Sequence, residues 1–135
     1  MKNIPEVMKY MTTTPHSIGI DQTVHTAETL MTKHHIRHLP VLDGGKVVGV
    51  LSDRDMKIVH AIAGATAEKT LIKDIVQNDP YTVSPHTKLD EVAMSMAENK
   101  YGCAIVMDNN KLVGVFTMVD ALKALATVLE TRSHS

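Results

Sequence analysis

The chain carries the same heptapeptide pattern twice, 65 residues apart. Gly49-Val50-Leu51-Ser52-Asp53-Arg54-Asp55 and Gly114-Val115-Phe116-Thr117-Met118-Val119-Asp120 share a glycine, two apolar residues, a hydroxyl residue and, three places on, an aspartate. Each reads as a buried strand running into a helix start. A Ser or Thr followed three residues later by a carboxylate is a capping box in its Asp form. Ser52 and Thr117 become N-caps, and Asp55 and Asp120 reach back to the cap amide. A duplicated strand-to-helix junction of this kind points to two copies of one α/β unit.

The same junction suits a ligand. Free amides at a helix N-terminus attract anions. A hydroxyl beside a carboxylate can donate to and accept from a ribose diol. Glycine in the strand lets a flat base approach the backbone closely. Capping alone also explains these residue types, and the motif by itself does not separate the two readings.

Taken in order, the chain repeats its elements around that junction. Ile4, Val7, Met8 and Met11 share a face of a short helical start, which Thr12-Thr13-Thr14-Pro15 breaks. His16 to Ile20 is a short extended piece. Asp21-Gln22-Thr23 offers caps for a helix through Val24, Ala27, Leu30 and Met31, ending near His34-His35. Strands at Ile36–Leu42 and Val47–Leu51 flank the Asp43-Gly44-Gly45-Lys46 turn. Ser52 opens a helix through Met56, Ile58, Val59, Ile62 and Ala63. In the second copy, Leu71–Val76 matches the first short helix. Thr87-Lys88-Leu89-Asp90 reads as another capping box, opening a helix with Leu89, Val92, Ala93 and Met96 inward. Ala104–Met107, the turn Asp108-Asn109-Asn110-Lys111 and Leu112–Phe116 form the hairpin. Asp120 leads a helix through Leu122, Leu125, Ala126 and Leu129, and residues 131–135 fray.

The offset between copies is 65 from Pro15 onward. Ahead of it, pairing Val7 with Ile75 gives 68, which implies three extra residues in the Met11–Thr14 loop. The repeats are bounded at 1–64 and 71–129, with a linker at 65–70 and a tail at 130–135. A unit of roughly 60 residues buries little surface alone, so the two should pack about a pseudo-twofold axis.

Composition narrows the function. The formal net charge is −1, with one Phe, three Tyr and no Trp, so neither a basic patch nor aromatic interleaving for nucleic acid is present. The single cysteine, Cys103, excludes an intramolecular disulfide framework and suits a reducing, cytoplasmic compartment. No window approaches a membrane span. The nine methionines fit adaptable core filling. His34, His35 and His38 cluster, but a helix end and a strand start fall among them, which spoils metal geometry; no metal site is expected. Cys103 reads as buried and inert. His25, His60 and His86 read as surface residues. No nucleophile elbow, P-loop or dinucleotide fingerprint occurs, and no catalytic group converges, so the chain reads as a non-enzyme.

The repeat resembles the cystathionine β-synthase (CBS) domain, and the pair resembles a tandem CBS, or Bateman, module. The residues that carry the likeness are Asp21 to Val24, Ile36 to Val41, Gly44 to Gly49 and Ser52 to Asp55, with second-copy partners Thr87 to Leu89, Tyr101 to Val106 and Gly114 to Asp120. The likeness covers about Val7 to Leu125. It implies an α/β fold of two pseudo-symmetric repeats, each a small sheet packed with helices, and a ligand cleft between them. It also implies regulatory binding of adenine derivatives: AMP, ADP, ATP or S-adenosylmethionine. No cofactor is required.

By that resemblance the ribose contacts fall on Ser52 and Asp55, and on Thr117 and Asp120. Phosphate contacts fall on Arg37 and His38, with Arg54 inside the first motif. The second copy has Gly102, Cys103 and Val119 at those positions, so the first is better equipped for an anionic ligand. Base contacts come from His16, Ser17 and Ile18, or from Tyr81, Thr82 and Val83. Tyr81 either stacks on a base or packs in the core. Family members commonly form homodimers through helix faces. Leu30-Met31 and Met94-Met96 are candidates for such a face, though each also fits internal core. An unidentified protein partner is the other possible output. The alternative reading is an interaction scaffold that binds no nucleotide.

Overall fold

Paired residues with positive φ close each hairpin. Gly44 and Gly45 (58° and 85°) join β3 (His38–Asp43) to β4 (Lys46–Ser52). Asn109 and Asn110 (51° and 64°) join β7 (Cys103–Asp108) to β8 (Lys111–Thr117). Two-residue loops of this kind match the natural twist of antiparallel strands, and Gly and Asn tolerate the left-handed conformation. In the computed structural model, which describes residues 3–13, 16–62 and 66–133, each hairpin is the centre of a four-stranded mixed sheet.

The chain divides into two compact units, residues 16–80 and residues 1–15 with 81–135. In the first, the strand order is β2 (Ile18–Gly19), β3, β4, β5 (Gln77–Asn78). β2 runs parallel to β3 with Ile18 opposite Val41, and β5 antiparallel to β4 with Gln77 opposite Val50. In the second, the order is β1 (Thr12–Thr13), β8, β7, β6 (Thr82–Val83). β6 is parallel to β7, and β1 antiparallel to β8 with Thr12 opposite Val115. Each sequence repeat thus lends its opening segment to the sheet built from the rest of the other.

Helices α1 (Val24–His34) and α2 (Asp53–Ala61) belong to the first unit, α3 (Leu89–Asn99) and α4 (Met118–Ser133) to the second. Val24, Leu39, Val41, Leu51 and Ile72 form the centre of one core; Val7, Val92, Ala104, Val106 and Phe116 form the centre of the other. Helices α1 and α3 stop alike. His35 (φ 54°) and Lys100 (φ 59°) turn left-handed, and the next amides, of Ile36 and Tyr101, donate to Met31 O and Met96 O at 3.0 and 2.9 Å. This satisfies carbonyls that a helix end leaves open.

Several expectations are corrected. The offset is 65 throughout. A 3₁₀ turn at Val7–Lys9 recurs at Ile72–Asp74, and β1 recurs at β5. Equivalent backbone bonds agree: Val7 N–H donates to Thr87 O (2.8 Å) and Ile72 N–H to Gln22 O (2.9 Å). Met11 to Thr13 therefore correspond to Val76 to Asn78, with no inserted residues. The 68-residue pairing assumed α-helical periodicity. In a tighter 3₁₀ turn, Val7 and Ile72 point inward while Met8 is exposed.

The expected capping box at Thr87–Asp90 does not form. The N-cap of α3 is Lys88, without a side-chain cap, and Leu89 N–H donates to Pro5 O at 2.9 Å instead. The N-terminal segment supplies what a cap would have supplied. By contrast, Thr23 caps α1 by accepting from Thr26 N–H at 3.2 Å. Ala93 is exposed, leaving Val92 and Met96 as the buried face of α3. Helix α2 ends at Ala61; Ala63, Gly64 and Ala65 lie outside the described residues, as do Thr14, Pro15, His134 and Ser135.

Candidate functional site

In the first unit, the antiparallel register sets His38 opposite Ser52, so the start of β3 meets the end of β4 where α2 begins. The capping box there is complete. Ser52 N–H donates to Asp55 Oδ2 at 2.7 Å, Ser52 Oγ donates to the same oxygen at 3.1 Å, and Asp55 N–H donates to Ser52 Oγ at 3.2 Å. Asp53 N–H is taken by Arg37 O at 3.0 Å. The parallel register of β2 with β3 brings His16 and Ser17 to this same end of the sheet. The exposed His16 ring stacks on His34, with centroids 3.6 Å apart. Ile18 is buried, and its side chain belongs to the core.

Electrostatics around this junction are mixed. Burial holds the His38 pKa below the usual histidine value, Asp53 and Asp55 pull it back up, and Arg37 lowers it again. His38 is therefore mainly neutral at pH 7. Arg37 lines a groove of about 520 Å³ between α1 and α2, shared with Asp53, Lys57 and the Glu28–His60 ion pair (2.8 Å). His38 and Arg54 are not among its walls. The structure thus does not gather Arg37, His38 and Arg54 into that one cavity. Arg54 is exposed on the first turn of α2.

The second unit repeats the junction. Thr117 N–H and Oγ1 donate to Asp120 Oδ2 at 2.9 and 3.1 Å, and Asp120 N–H donates to Thr117 Oγ1 at 3.3 Å. Cys103 lies opposite Thr117, and Met118 N–H donates to Gly102 O at 3.3 Å. Asp120 is buried, with 8% exposure. It gains one partner that sequence reasoning missed: Thr12 Oγ1 donates to its Oδ1 and Oδ2 at 3.3 and 3.4 Å.

Gly114 explains how Thr12 comes so close. A methyl group there would lie 2.5 Å from Met11 Sδ and 3.0 Å from Thr12 O. The glycine admits the N-terminal strand, where the sequence suggested access for a base. A strand glycine does signal close approach, but it does not say by what.

Tyr81 stacks on Tyr101, with centroids 4.9 Å apart, and its carbonyl accepts from Ile105 N–H at 2.8 Å. Tyr81 and Val83 pack against the core, and Thr82 is exposed. Cys103 is buried, and burial pushes its thiol up to about 12. That is the reverse of an activated nucleophile. Three histidines without an assigned role prove to be paired: His25 with Glu68 (4.0 Å), His60 with Glu28 (2.8 Å) and His86 with Glu6 (2.9 Å). Among the described residues, no helix is long and apolar enough to cross a membrane.

Comparison with known proteins matches this architecture. The sequence model of the CBS domain matches residues 6–59 and 72–127. A Vibrio cholerae protein provisionally assigned to acetoin utilization (AcuB) is similar over 98% of each chain, at 30% identity and a TM-score of 0.84. CBSX2, solved in complex with AMP, is 25% identical with a TM-score of 0.77, covering 91% of this chain and 97% of CBSX2. Inosine-5'-monophosphate dehydrogenase of Korarchaeum cryptofilum is 32% identical over 119 residues, which is 87% of this chain and 24% of that enzyme. The chain therefore spans about a quarter of the dehydrogenase.

Proposed function

The chain belongs to the CBS domain family, and from that premise we propose that it is a regulatory module for an adenine nucleotide or adenosine derivative. The carrying observation is that both hydroxyl–carboxylate pairs are already assembled at helix N-termini. Ser52 with Asp55, and Thr117 with Asp120, are the ribose-binding pairs of this reading. The AMP complex of CBSX2 supports the ligand class. AMP, ADP, ATP and S-adenosylmethionine are the candidates.

Phosphate is held at the first junction by Arg37, His38 and Arg54, and the second junction takes a less charged adenosine derivative. Base contacts come from the residues that open β2 and β6. One difference favours the first of these. Pro40 stands 65 residues before Ile105 and has no N–H, so the bond that occupies Tyr81 O has no counterpart at His16 O. The His16 carbonyl is then an acceptor for an exocyclic amine. The protein binds rather than catalyses: the carboxylates of both motifs are engaged by cap hydroxyls and amides, not poised against a nucleophile. Only a ligand that distinguishes two arrangements transmits a signal, and the output is a partner protein or the protein's own dimer.

A scaffold without nucleotide is the second reading, and one observation favours it: helix capping by itself accounts for the residue types at Ser52, Asp55, Thr117 and Asp120. A thermal-shift panel of AMP, ADP, ATP, S-adenosylmethionine and NADH separates the two. A ligand at 100 times its Kd adds about 2.7 kcal/mol, so the regulatory reading predicts a rise in Tm with at least one adenine compound. No rise with any of them favours the scaffold.

A further inference from the structure

The two hydroxyl–carboxylate junctions differ at one oxygen. In the second, Asp120 Oδ2 is taken by Thr117 N–H and Oγ1 at 2.9 and 3.1 Å. Among the described residues, Thr12 is the only donor to Oδ1; its single hydroxyl proton lies between Oδ1 at 3.3 Å and Oδ2 at 3.4 Å. In the first junction, Asp55 Oδ2 serves Ser52 in the same way, and among the described residues nothing donates to Oδ1. Asp120 is buried where Asp55 is half-buried, while Thr12 itself is exposed. One carboxylate presents an open oxygen, and the other is covered from the solvent side by a residue of β1. The counterpart of Thr12, 65 residues on, is Gln77, which carries no hydroxyl.

We propose that Thr12 gates the second junction: its hydroxyl occupies the Asp120 oxygen that a ligand diol has to use, and the ligand enters by displacing it. This rests on the ribose reading of Asp120 and adds a threshold to it. Thr12 offers the carboxylate one proton through a long, shared bond, whereas a vicinal diol offers two donors. The exchange favours the diol, but loss of the Thr12 bond is charged against every ligand that makes it.

The same geometry carries the event away from the site. The antiparallel register sets Thr12 opposite Val115, two residues before Thr117, and Gly114 lets β1 lie close on β8. Strand β1 is held to β8 through two residue pairs, Thr12 with Val115 and Thr13 with Gly114. Drawing Thr12 off Asp120 loosens that strand, so occupancy of the second junction is read out in the N-terminal segment. The ligand then distinguishes two arrangements of β1, as a signal requires.

Calorimetric titration with adenosine, which has no phosphate, tests the gate in chains that carry Asp55→Ala to silence the first junction. Adding Thr12→Val should tighten binding about two- to tenfold, the worth of the hydrogen bond no longer displaced. Thr12→Ser keeps the donor and should not tighten it, and Asp120→Ala should cancel the gain. Adenosine should also speed amide exchange at residues 12 and 13 of the chain with Thr12 intact, where a ligand that merely stabilises the fold would slow it. Equal affinity with and without Thr12→Val, a gain that survives Asp120→Ala, or slowed exchange in β1 would each overturn the proposal. If AMP still binds in an Asp55-dependent way, that failure is the gate's alone; no binding of AMP or adenosine by any of these chains overturns the gate and the regulatory reading together.

Discussion

The Thr12 hydroxyl donates to both carboxylate oxygens of Asp120, at 3.3 and 3.4 Å, from 108 positions away in the chain. The bond ties the first strand to the last helix start through the second hydroxyl–carboxylate motif. Both distances exceed the usual 2.7–2.8 Å for O–H···O, so the bond belongs at the weak end. Thr12→Val keeps the shape and removes the donor; Thr117 still serves Asp120. The expected loss is about 0.5–1.5 kcal/mol by urea unfolding. Unchanged stability would show that the contact contributes nothing.

The two aspartates should not be equivalent. Asp55→Ala leaves the Ser52 cap but removes the carboxylate that accepts from the Ser52 N–H, which costs about 0.5–1.5 kcal/mol. Asp120→Ala also strands donors at a buried position, Thr117 N–H among them, which costs about 1–3 kcal/mol. Denaturant unfolding should therefore rank Asp120→Ala as the more damaging; the reverse order would contradict the burial argument.

Gly114→Ala tests whether the glycine is there for the N-terminal strand. The added methyl meets Met11 and the Thr12 carbonyl. Overpacking of this sort costs about 1–3 kcal/mol, and amide exchange in residues 11–13 should speed up. A neutral substitution would mean that β1 is loosely held.

Histidines set opposite pH dependences. A lowered His38 pKa means that the folded chain binds fewer protons than the unfolded chain as pH falls through about 6.5. That contribution is present above this value and is lost as pH drops toward the folded pKa. The hydrogen bond His86 donates to Glu6 raises the His86 pKa, so its contribution is full below the unfolded value and is lost as pH rises through its folded one. His38→Asn should flatten the loss of stability as pH falls below about 6.5. An identical acid slope in the variant would remove His38 from the account.

Local signals were the legible ones. The 65-residue repeat, the two capping boxes and the Gly44-Gly45 and Asn109-Asn110 turns follow from residue type at short range, and the structure bears them out. What failed involved partners far off in sequence. Thr87 looked like a cap, but its carbonyl pairs with Val7 and the helix start is served by Pro5. Pairing Val7 with Ile75 does not hold because apolar spacing at the α-helical period does not describe a 3₁₀ turn. Nothing near Asp120 announces Thr12. The ion pairs of His25, His60 and His86 likewise join elements that sequence order keeps apart.

Titration calorimetry with AMP on the wild type, Asp55→Ala and Asp120→Ala tests the regulatory reading most directly. The account predicts binding to the wild type that weakens at least about tenfold in Asp55→Ala, the loss expected for a charged hydrogen bond to the ribose. Asp120→Ala should retain it, because the residues proposed to hold phosphate stand with the first motif. No heat of binding, or binding indifferent to Asp55, would contradict the account.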